Sequence, residues 1–131
     1  MSSPTDITAV YQLGLTVSDL DGSRAFYEDK LGLRMVARFD PPGLMFFYAG
    51  GVRLSLQKTD SVEASSSVVY FQVADIEAAV AALKDKGVAF EQEAQLVFPD
   101  TEGQFGAPGE EEWMAFLRDP DGHLLALVSR R

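Results

Sequence analysis

The sequence predicts an α+β fold in which one unit, a strand followed by a helix and further strands, is written twice. Three observations carry this. Leu15-Thr16-Val17-Ser18-Asp19-Leu20-Asp21 matches Phe71-Gln72-Val73-Ala74-Asp75-Ile76-Glu77, so Asp75 follows Asp19 by 56 positions (75 minus 19). Met45-Phe46-Phe47-Tyr48 resembles Met114-Ala115-Phe116-Leu117, 69 positions on (114 minus 45). Gly51-Val52-Arg53-Leu54-Ser55-Leu56 resembles Gly122-His123-Leu124-Leu125-Ala126-Leu127, 71 positions on (122 minus 51). A sequence that repeats itself in this order marks a duplicated architecture.

The elements follow in chain order. Leu13, Leu15 and Val17 alternate with Gln12, Gly14 and Thr16, as in a strand with one buried face. Asp19 and Asp75 are N-cap residues, because a carboxylate there accepts the free N–H groups of a helix's first turn. In the first helix Leu20, Tyr27 and Leu31 share a face with Phe26 beside it; in the second, Ile76, Val80 and Leu83 do. Gly32 and Gly87 end the two helices. The polar, serine-rich stretch Lys58–Ser67 reads as a linker between a first module at about 7–57 and a second at about 68–129 of a single domain. Asp119-Pro120-Asp121-Gly122 is a turn between strands. Phe98–Glu112 holds two prolines, three glycines and a run of three glutamates, and reads as a long loop, either a flap over a site or a disordered segment.

Composition narrows the function. At 131 residues, 47% hydrophobic, the chain suits one domain with a real core. A net charge of −9 argues against nucleic-acid binding, which needs clustered cations. With no cysteine there is no disulfide and no thiolate chemistry, which fits a reducing compartment. The apolar runs are short, so no membrane span is expected, and Met1–Asp6 lacks the pattern of a secretory leader. The expected location is cytoplasmic. His123, the one histidine, is best explained by the turn that holds it; without a cysteine or a partnered histidine a nucleophilic triad is not expected.

Two stretches carry a family resemblance. Leu13–Asp21 with Phe26-Tyr27-Glu28-Asp29-Lys30-Leu31-Gly32-Leu33 resembles the opening signature of the vicinal oxygen chelate superfamily, the glyoxalase, bleomycin-resistance and dioxygenase group. Phe116-Leu117-Arg118-Asp119-Pro120-Asp121-Gly122-His123 resembles its closing signature, and the likeness runs from about Ile7 to Val128. The resemblance implies two βαβββ modules forming a cup-shaped curved sheet around a pocket, and a homodimer. It also implies four metal-ligand positions, which fall here on Gln12, Ser55, Val68 and Ala126. Divalent ions favour carboxylate, imidazole or thiolate donors, and this set offers none. No metal and no cofactor is therefore expected.

Strand parity sets Gln12, Arg53, Ser55, Tyr70 and Gln72 on the predicted pocket face, opposite Leu15, Leu54, Phe71 and Leu125. Phe47 and Trp113 sit on strands that would wall the cup and stack on a ligand, although core packing is the commoner role of such rings. These seven residues are the candidate ligand-binding set; no catalytic residue is identified. The expected activity is binding of an aromatic or amphipathic small molecule without the family metal. The alternative is a lyase, isomerase or dioxygenase that uses an unrecognised metal site or a loop carboxylate from Glu110, Glu111 or Glu112.

Overall fold

The computed structural model describes Thr5, residues 7–64 and residues 66–131; the opening segment apart from Thr5, and Ser65 in the expected linker, lie outside the described residues. The first unit runs β1 (Gln12–Val17), α1 (Leu20–Arg24), a π-helical continuation (Ala25–Lys30), β2 (Arg34–Phe39), β3 (Leu44–Ala49) and β4 (Val52–Lys58). The second runs β5 (Val69–Gln72), α2 (Ile76–Asp85), β6 (Phe90–Asp100), β7 (Glu110–Arg118) and β8 (Leu124–Arg130). Each unit builds a four-stranded mixed sheet, in the orders β1-β4-β3-β2 and β5-β8-β7-β6. The predicted βαβββ pattern is therefore present twice, as two separate sheets.

The outermost strands β1 and β5 pair in parallel with β4 and β8, and the rest of each sheet is antiparallel. A parallel neighbour requires a crossover, and the helix supplies it. Asp19 accepts from the Asp21 N–H at 3.1 Å and Asp75 from the Ala78 N–H at 3.1 Å, so both aspartates cap as expected. Gly32 and Gly87, at φ 79° and 85°, take the left-handed geometry that ends each helix.

The first helix departs from plain α periodicity. The caps stand 56 apart, but the terminal glycines stand 55 apart (87 minus 32), so the first helix carries one extra residue. A widened π turn absorbs such an insertion, seen in the bond from the Leu31 N–H to the Phe26 carbonyl at 2.9 Å. Two consecutive rings, Phe26 and Tyr27, are thereby both buried, edge to face at 5.2 Å.

The core lies between the helices and the inner faces of both sheets. Leu15, Val17, Leu54, Leu56, Leu125 and Leu127 are buried, on the parity that the alternation predicts. Polar bonds between the modules flank this core. The Tyr27 hydroxyl donates to Asp119 at 2.7 Å, the His123 ring bonds the Thr16 carbonyl at 2.7 Å, and Lys86 reaches the Asp29 carbonyl at 3.2 Å.

The expected long loop is mostly strand. Phe98–Asp100 belongs to β6 and Glu110–Glu112 to β7, paired as Phe98 with Glu112 and Asp100 with Glu110. The register shifts of this hairpin, at Phe90/Gln92, Gln92/Gln95 and Leu96/Phe98, lie before that stretch. Pro99 is tolerated within it because β6 is an edge strand, where a missing N–H costs no ladder bond. Only Thr101–Gly109 connects the two. Asp100 fastens that connection, accepting from the N–H groups of Gln104 at 2.8 Å and Phe105 at 3.0 Å.

Candidate functional site

Each sheet turns its second face outward, and most of the expected site residues lie there. On the first sheet one cross-strand row runs Arg34, Tyr48, Arg53, Gln12, and the next runs Ala37, Phe46, Ser55, Gly14. Arg53 is held in place: its Nε donates to Gln12 Oε1 at 2.6 Å, and its guanidinium lies 5.1 Å from the Tyr11 ring centroid and 5.2 Å from that of Phe46. Cation–π contact of this kind steadies a cation without neutralising it. Among the described residues no carboxylate forms an ion pair with Arg53, whereas Arg24, Arg38, Arg118, Arg130 and Arg131 each have one.

On the second sheet Tyr70 and Gln72 are exposed, and Ala126 lies beneath, between Tyr70 and Phe116 in the neighbouring strands. Gln12, Arg53 and Ser55 thus share one sheet face, and Tyr70 and Gln72 share a face of the other.

Phe47 and Trp113 are placed differently from the expectation that they wall a cup. Phe47 is fully buried and pairs with Leu54, on the inner face, where its ring lies 6.0 Å from that of Tyr27. Trp113 shares the inner parity of Ala115 and Leu117 and packs against the core. Its indole N–H donates to Glu111 at 3.1 Å, and Arg131 lies over its ring at 4.1 Å. The outer faces instead carry Phe39, Phe46, Tyr48, Tyr70 and Phe116. Four consecutive large side chains, Met45-Phe46-Phe47-Tyr48, hide that parity in the sequence; the known face of Leu54 is the signal that reveals it.

The three glutamates expected on a flap are engaged. Arg130 bonds Asp100 at 2.7 Å, Glu112 at 2.7 Å and Glu110 at 3.1 Å, and Glu111 holds the indole of Trp113. Burial alone would raise the Asp100 carboxyl, but the Arg130 guanidinium and the two loop N–H groups hold it down at about 2. Burial, with the negative charge of Asp119 beside it, pushes the Tyr27 phenol far above its ordinary range. His123 is buried in the turn, and its backbone N–H donates to Asp119 at 2.8 Å. Among the described residues no three His, Cys, Asp or Glu side chains form a metal-holding group.

Residues 9–127 match the Glyoxalase/Bleomycin resistance protein/Dioxygenase superfamily, and the chain belongs to it. A glyoxalase/bleomycin resistance protein/dioxygenase from Alicyclobacillus acidocaldarius superposes with a TM-score of 0.69 at 24% identity, over 92% of this chain and 90% of that one. A superfamily member from Sphaerobacter thermophilus gives 0.70 at 20%, over 94% and 98%. A lactoylglutathione lyase from Agrobacterium tumefaciens gives 0.71 at 22%, over 94% of each. At these identities the likeness is one of fold. No curated protein matches the chain in sequence. No helix among the described residues is long and apolar enough to cross a membrane.

Proposed function

We propose that the chain is a binding protein for an aromatic or amphipathic small molecule with an anionic group, held on the outer sheet faces without the metal used elsewhere in the superfamily. The setting of Arg53 carries this reading: a guanidinium with no carboxylate partner among the described residues, fixed by Gln12 and flanked by Tyr11 and Phe46. Such a group offers forked donors to a carboxylate or phosphate, and the rings offer apolar surface to the ligand's body.

The donor set does not suit a metal. Val68 and Ala126 have no donor atom, Ser55 has only a hydroxyl, and the Gln12 oxygen already accepts from a cation at 2.6 Å. Pairing of two copies fits the same reading. β1 and β5 are sheet edges, and Tyr11 at 75% and Tyr70 at 55% exposure leave apolar surface beside them.

The test is calorimetry after a thermal-shift screen of aromatic carboxylates and phosphates. Arg53→Gln is expected to weaken the best ligand by about tenfold or more; equal affinity in the variant overturns the assignment. Protein purified without a histidine tag or chelator is expected to hold less than about a tenth of an equivalent of transition metal, and near one equivalent per chain overturns the metal-free reading. Sedimentation equilibrium reports on pairing.

A further inference from the structure

The two modules are not equally complete where each helix end meets the other module's turn. The first helix packs Phe26 and Tyr27 toward the β7–β8 turn, Asp119–His123, and the space left beside them is about 400 Å³. The second helix carries Ala82 and Leu83 at the corresponding spacing, and the facing β3–β4 turn is only Gly50 and Gly51. Shorter side chains against a shorter turn leave a cleft of about 1010 Å³, near the upper end of the roughly 300–1,000 Å³ usual for small-molecule sites.

The lining of this cleft has an unusual charge. The chain has 20 acidic and 11 basic residues, yet the cleft is lined by Lys30, Arg34 and Lys86 and by no Asp or Glu. The smaller counterpart includes Glu91 and Asp119. Lys86 is held in position, its ammonium donating to the Asp29 and Lys30 carbonyls at 3.2 and 3.4 Å. Arg34 and Lys30 form no ion pair with the described residues, and the floor of the cleft is apolar, from Leu83, Phe71 and Leu127.

We infer that this inter-module cleft is a second binding site, taking a small amphipathic organic anion: an apolar chain or ring on the floor, with a carboxylate or sulfonate head at Lys30, Arg34 and Lys86. An inorganic anion would leave the floor empty, and a neutral apolar molecule would leave three cations unanswered. The cleft borders the proposed binding faces. It shares Arg34 and Tyr48 with the row of Arg53, and Tyr70 and Gln72 with the second sheet, but it includes neither Gln12 nor Arg53.

The probe is decanoate, titrated by calorimetry into the intact protein below its micellar concentration, with 1-decanol as the uncharged competitor. Saturable binding at one site per chain is expected, and 1-decanol should displace it only weakly. Ala82→Phe, which puts a ring where the first helix has one, should weaken binding by about tenfold or more, and Arg34→Gln with Lys86→Gln by a similar factor. Ala81→Phe, one position along the same helix and outside the cleft, controls for the effect of an added ring on folding and should bind normally. No saturable binding, or equal binding by the Ala81→Phe and Ala82→Phe variants, overturns the site; tight displacement by 1-decanol overturns the role of the cations. Loss of decanoate binding in Arg53→Gln would merge the two sites into one and overturn a second site.

Discussion

The Tyr27 hydroxyl meets Asp119 at 2.7 Å across 92 positions of sequence, tying the helix of the first module to the closing turn of the second. The same carboxylate accepts from the Asp121 and His123 N–H groups at 3.0 and 2.8 Å. One side chain thus shapes its own turn and docks the other module. Tyr27→Phe keeps the ring and leaves that buried acceptor one partner short. A loss of about 1–3 kcal/mol is expected, read as a lower urea midpoint. The raised phenol adds a pH signature. Its folded ionisation lies above the unfolded one, so its stabilisation is complete below about pH 10 and declines above it. The gap between wild type and Tyr27→Phe should narrow there.

Asp100 gives the opposite signature. Its carboxyl sits near 2 when folded, below the ordinary value of about 3.9. Its contribution is therefore complete above about pH 4 and is lost as the pH falls toward 2. Asp100→Asn should be less stable than wild type at pH 6, and the difference should shrink on acidification. A difference that does not change between pH 6 and pH 2 would mean that the charge on Asp100 is not what holds the Thr101–Gly109 connection.

Phe47→Ala should cost about 3–5 kcal/mol, the range for emptying a packed aromatic site. Trp113→Ala should cost less, because its ring is only partly buried and the outer side meets Arg131. Denaturant unfolding of both variants separates core packing from a ligand-stacking role, which would leave stability nearly unchanged.

Breaking the link between Arg131 and Glu77 tests the terminus. The two side chains form a bidentate pair at 2.5 and 2.7 Å, while Arg131 also covers Trp113. Glu77→Gln keeps the cation over the ring, and because the pair is exposed only a small fall in thermal midpoint is expected. A larger change in thermal midpoint would show that the pair organises β8 beyond its own charge.

Much of the fold was legible because duplication and parity are local signals. Asp19 and Asp75 marked both helix starts, and the alternation around Leu15, Leu54 and Leu125 identified the inner faces. The π turn was less visible, since one extra residue shows only when Gly32 and Gly87 are counted against the caps. The β6–β7 hairpin was hidden by Pro99, Pro108 and three glycines, which read as loop wherever pairing is unknown. Site residues on strands of mixed polarity, Gln12, Arg53 and Ser55, could be assigned a face; Phe46 and Phe47 could not, because both are apolar and only pairing with β4 separates them. The inter-module cleft was out of reach, as it depends on where two distant segments meet.

The turn between β3 and β4 holds two glycines, while its counterpart between β7 and β8 holds five residues anchored on Asp119. Neither sheet needs to change for that hairpin to grow. Lengthening it would fill space beside α2 in much the way that the Asp-Pro-Asp-Gly-His segment fills space beside the first helix. In a duplicated scaffold of this kind, hairpin length acts as a dial on internal volume, so two descendants with identical sheets could accept guests of very different size.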